Sequence, residues 1–126
     1  MADLNFAGSY DGLHLPYSPE AEQAVLGAII LESDTFDKVV DTLKSPDYFY
    51  VSLHKLIFAQ MQEMIGLGLN IDFVTLLERL KQNKAFDEST GKTYLMDLVN
   101  NCPSISNAEE YAKIIAEKYN VRRLIT

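Results

Sequence analysis

The chain of 126 residues is poor in cysteine and in positive charge. Cys102 is the single cysteine, so an internal disulfide and any cysteine-based zinc cluster are excluded, and a reducing compartment fits. Eleven lysines and arginines face eighteen aspartates and glutamates, for a net charge of -7, and a phosphate backbone would on average be repelled. Direct DNA binding is therefore not expected: Lys81, Lys84, Arg122 and Arg123 are scattered and outnumbered, where a single-strand groove needs clustered bases and stacking aromatics. Met1 to Leu15 has neither the basic nor the apolar region of a signal peptide, which points to the cytoplasm. The longest apolar run, Ala24 to Leu31, falls well short of the ~20 residues that cross a bilayer. No strand-like alternation competes with helical spacing, so the expected fold class is all-α.

Catalytic chemistry is equally scarce. No G-x-x-x-x-G-K-[ST] loop is present, and GLGLN at 66 to 70 lacks the lysine such a loop requires, so the pair Gly66 and Gly68 reads as a helix terminator. His14 and His54 have no second histidine or cysteine at ligand spacing, so no metal or cofactor is expected in this chain. Glu20 and Glu22 are two apart and cannot face one another on a helix. They read as favourable charge at a helix start. Cys102 precedes proline on an apolar face, where cysteine serves as a small hydrophobe. A small enzyme is not supported.

With 48% hydrophobic and 23% charged residues, what is present is the composition of one ordinary globular core. Residues 1–17 carry two glycines and no helical periodicity and read as a flexible arm. Ser18 caps a first helix opening on Pro19, Glu20 and Glu22, and its AVLGAIIL run is apolar on every side, which places it at the centre. Gly27 within it points to close approach by another helix. Asp34 or Ser33 starts a second helix through Phe36, Val39, Val40 and Leu43. A third, capped near Ser52, carries Leu56, Ile57, Met61, Met64 and Ile65 and stops at Gly66 or Gly68. Tyr48, Phe49, Tyr50, Met61 and Met64 suit either core packing or an adaptable surface. Asp72 caps a fourth helix to about Asn83, with Ile71 and Leu76 as a hydrophobic staple. After a polar stretch from Lys84 to Lys92, a fifth segment through Tyr94, Leu95, Leu98, Val99 and Cys102 ends at Pro103.

The last helix starts at Asn107, with Glu110 completing a capping box, and would span about 28 Å to Thr126 at 1.5 Å per residue. No glycine, asparagine or proline closes it, so a longer helix is expected in a larger protein. Tyr111, Ile114, Ile115, Val121, Leu124 and Ile125 cover more than one narrow stripe. Each large apolar side chain contributes about 1.5–3 kcal/mol when buried, so they pack either against a missing helix or another subunit, or within the domain itself.

Several segments in order resemble the amino-terminal domain of bacterial replicative DNA helicases of the DnaB type: LPYSPEAEQAVLGAIILE (15 to 32), DYFYVSLHKLIFAQM (47 to 61), IDFVTLLERL (71 to 80), GKTYLMDLVNNCPS (91 to 104) and NAEEYAKIIAEKYNVRRLI (107 to 125). That resemblance implies a compact multi-helix orthogonal bundle, a globular body over 18–104, and the first arm of a projecting helical hairpin over 105–126. It implies pairing of subunits in a hexameric collar, with Tyr111, Ile114, Ile115, Lys118, Val121, Arg122 and Ile125 as subunit-interface candidates. It implies docking of the primase carboxy-terminal domain, with Tyr94 and Ile125 as candidate contacts, although Tyr94 equally suits a core. A helicase loader is a further implied partner. The ATP- and magnesium-dependent 5′–3′ motor of the primosome would lie in a domain beyond this chain. The alternative is a stand-alone helical adaptor unrelated to replication.

Overall fold

The computed structural model describes residues 15–125, and all regular structure among them is helical. Six α-helices follow one another: α1 (Pro19–Leu31), α2 (Thr35–Val39), α3 (Ser52–Gly66), α4 (Phe73–Lys81), α5 (Glu88–Asn100) and α6 (Ala108–Ile125), with a 3-10 turn at Pro46–Tyr48. The glycine-bearing arm and His14 lie outside the described residues, but Tyr17, assigned to that arm, stacks on Tyr50 at 4.5 Å between ring centroids. Ordered packing thus begins ahead of Ser18.

Helix α1 is the axis of the domain. Ser18 Oγ accepts from the Ala21 amide at 3.2 Å, and Val25, Leu26, Ala28 and Ile29 are fully buried, as a helix apolar on all sides must be. It packs on α2, α3, α5 and α6. At Gly27 a Cβ would overlap the Leu98 carbonyl of α5, so only glycine admits this crossing. Phe49 and Phe58 meet at 4.9 Å, and Phe36 joins Phe58 at 5.5 Å, within the core.

Local chemistry sets the helix ends. Gly68, at φ 78°, lets its own amide reach the Ile65 carbonyl at 3.0 Å and the Leu69 amide reach Met64 at 2.9 Å, closing α3. Asp72 caps α4 by accepting from the Thr75 amide at 2.8 Å and the Thr75 hydroxyl at 2.6 Å. Leu76, Leu77 and Leu80 then form its buried face. The fifth helix begins at Glu88, inside the stretch that reads as polar linker, because Asp87 caps it and Gly91 makes room for the buried Phe86 ring. Exposed positions carry no hydrophobic periodicity, which is why spacing alone misses this turn.

Through Ala108, Ala112 and Ile115 the first half of α6 is part of the core against α1. A boundary at residue 105 therefore does not part body from arm. Past Arg122 the helix stands clear, with Leu124 87% exposed.

Candidate interaction site

A pocket of about 390 Å³ opens between α1 and α5, lined by Glu20, Gln23 and Ala24 on one side and Tyr94, Asp97, Leu98, Asn101 and Pro103 on the other. Tyr94 is half-buried there. Its hydroxyl lies 2.6 Å from His54 Nε2 and accepts from Gln23 Nε2 at 3.0 Å. Burial pushes its phenol above the ordinary value.

Behind Tyr94 the charge is hidden. His54 is fully buried on α3, and its Nδ1 sits 2.7 Å from Glu22 Oε1, itself only 1% exposed as a residue. Glu22 also accepts from the amides of Tyr50 at 2.8 Å and Val51 at 3.4 Å. A carboxylate only accepts, so Nδ1 carries a proton toward Glu22, while Nε2 pairs with the Tyr94 hydroxyl. Glu22 lies in the first turn of α1, as its reading as helix-start charge has it, but the helix turns it inward, and it also holds the chain entering α3. Ser52 is accordingly no cap, since Val51 takes that position without any side-chain bond. One signal in the sequence marks His54: it precedes Ile57, Phe58 and Met61 on the core stripe of α3, where a titratable ring must find partners. Its partners come from α1 and α5, and no local spacing names them.

Cys102 also faces α1, with Sγ 3.8 Å from the Ala24 carbonyl, and burial pushes its thiol up. That disfavours the thiolate a nucleophile needs. Among the described residues no three histidine, cysteine, aspartate or glutamate side chains converge as metal ligands, and no helix is long and apolar enough to cross a membrane.

The assembly candidates on α6 divide. Ile114, Val121 and Ile125 are exposed at 37%, 42% and 59%, and Leu124 joins them. Tyr111 and Lys118 are half-buried. Ile115 and Arg122 are corrections, because both are spent inside the domain. Ile115 is 1% exposed on the core face of α6. Arg122 donates to the Pro16 carbonyl at 3.0 Å and the Tyr48 carbonyl at 2.8 Å, with its guanidinium 5.3 Å from the Tyr50 ring and 5.7 Å from the Tyr119 ring. Its planar fork satisfies two carbonyls while lying on aromatic faces, which a flexible ammonium would do poorly. Tyr94 on α5 and Ile125 on the last turn of α6 occupy separate helices, each packed on α1, and Ile125 takes no part in the pocket at Tyr94.

Residues 14–117 match the family model of the DnaB-like helicase N terminal domain. The chain belongs to that family. It is 36% identical over 115 residues to the replicative DNA helicase DnaB of Pasteurella multocida, and 40% identical over 110 residues to the replicative DNA helicase DnaC of Bacillus subtilis. Those matches cover 91% and 87% of this chain but 24% of each relative, so the chain spans about a quarter of the length of the relatives it matches. The crystal structure of the N-terminal domain of DnaB helicase from Mycobacterium tuberculosis superposes with a TM-score of 0.83 at 33% identity, covering 89% of this chain and 80% of that one. A DnaB-like replicative helicase, described with its interactions with primase, matches at TM-score 0.74 and 25% identity over 86% of this chain and 25% of that chain. The all-α expectation and the resemblance both hold.

Proposed function

We propose that this domain is the non-catalytic assembly and docking part of a replicative helicase, pairing with its own copies in a hexameric collar and receiving the primase carboxy-terminal domain at the Tyr94 pocket. The observation that carries this is the end of α6: in a member of this family, Val121, Leu124 and Ile125 are left uncovered after the core is complete. Contiguous apolar surface of that kind marks a protein interface. Ile125 would serve subunit pairing or primase contact from the same tip.

In this reading ATP and magnesium act in a motor domain elsewhere in the helicase, in the cytoplasm, and a helicase loader is a further partner. The domain works by holding primase at high local concentration beside the exposed strand. Collar pairing and primase occupancy then bias each other reciprocally.

The test is to mix this chain with a primase carboxy-terminal domain on a sizing column, with mass measured across concentration. Co-elution and concentration-dependent self-association are expected. No complex at the highest soluble concentration, nor with a hexameric form whose coupled sites add avidity, overturns the docking reading.

A further inference from the structure

The tyrosine on the pocket wall is held from behind by groups that never reach the surface. A buried tyrosine needs one partner for its hydroxyl, and any backbone carbonyl would serve. Here the partner is a fully buried imidazole 2.6 Å away, held in turn by a buried carboxylate at 2.7 Å. The amides of Tyr50 and Val51 complete that carboxylate, and Gln23 closes the chain from the pocket side. Apolar residues of similar volume would often fill such space at no loss of stability, so stability alone does not account for a buried acid and imidazole in line with one pocket side chain.

We propose that Glu22 and His54 are positioning residues that fix the Tyr94 ring at the rim of the α1/α5 pocket, so that a docking protein meets a pre-set surface. The inference rests on the reading of that pocket as the primase site. Neither residue touches a partner: both are below 2% exposed. Their action is to remove rotamers that Tyr94 would otherwise lose on binding, which is worth about three- to tenfold in affinity. The carboxylate of Glu22 only accepts, so the arrangement requires a proton on Nδ1 of His54.

Nitrogen-15 NMR of the chain tests that form directly, since His14 is the only other histidine and His14→Gln leaves a single imidazole. A proton on Nδ1 is expected, and a proton on Nε2 with Nδ1 bare overturns the proposal without any binding measurement. Affinity for a primase carboxy-terminal domain is then compared in three variants. Tyr94→Ala should weaken it; if it does not, the docking reading fails and the inference with it. His54→Phe, which removes both hydrogen bonds, should weaken binding by about three- to tenfold, and His54→Gln, able to donate to Glu22 and accept from Tyr94, should restore most of the loss. Loss in Tyr94→Ala with wild-type affinity in folded His54→Phe overturns the positioning role and leaves the docking site standing.

Discussion

At the junction of α1, α3 and α5, Glu22 and His54 are taken out of water and, together with the half-buried Tyr94, have partners, whereas the last turn of α6 leaves Val121, Leu124 and Ile125 in water. The first region is finished within the chain. Its hydrogen bonds join residues 28 to 71 positions apart, so it exists only once the domain has folded, and it presents a rigid surface. The second is unfinished: its apolar side chains gain their stabilisation only when something covers them. A partner meeting the first adapts to it, while a partner meeting the second completes it.

The largest effect should come from breaking the finished region. Glu22→Ala leaves His54 buried without its carboxylate and the Tyr50 and Val51 amides without an acceptor, and should cost about 3–5 kcal/mol in denaturant unfolding. A loss below about 1 kcal/mol would show that the junction is wetter than its geometry and that the contrast with α6 is not one of closure.

A smaller effect is expected at Asp72, a carboxylate that also accepts from the chain at a helix start but does so in water. Asp72→Ala should cost about 1 kcal/mol, the ordinary worth of an N-cap. Hydrogen bonds from the Thr75 side chain and amide hold its carboxyl below the ordinary 3.8. A depressed folded pKa means that the stabilisation is present above 3.8 and is lost as pH falls through the folded value. The difference between wild type and Asp72→Ala should therefore shrink only under acid conditions, and a difference that grows on acidification would contradict the cap. Glu22 and Asp72 together ask how much burial multiplies the worth of similar bonds.

Much of the fold was readable before any coordinates because its signals are local. The Ser18 and Asp72 caps, the glycine stop after α3 and the all-apolar α1 each lie within a few consecutive residues, and Gly27 announced its close crossing. The site was less readable because its chemistry is not local. Glu22 looked like helix-start charge since nothing within its own turn shows that the α3 entry and His54 lie against it. Arg122 looked like an interface candidate because its carbonyl partners, Pro16 and Tyr48, are 106 and 74 residues away. Ile115 and Ile114 are neighbours on one apolar stretch, and only the packing of α1 decides which of them is inside.

That division makes α6 its own control. Ile115 cannot probe assembly, because any polar replacement there opens the core. Leu124 and Ile125 can, being 87% and 59% exposed. Replacing both by serine should change unfolding stability of the isolated chain by no more than about 0.5 kcal/mol, as for surface positions free of special contacts. Self-association, followed by mass against concentration, should weaken in the same protein. If the double variant associates as the wild type does, the pairing surface lies elsewhere, and the nearest exposed alternative on this helix is Ile114. If instead stability falls by several kcal/mol, the end of α6 is already covered within the chain, and its contrast with the Glu22–His54–Tyr94 junction disappears.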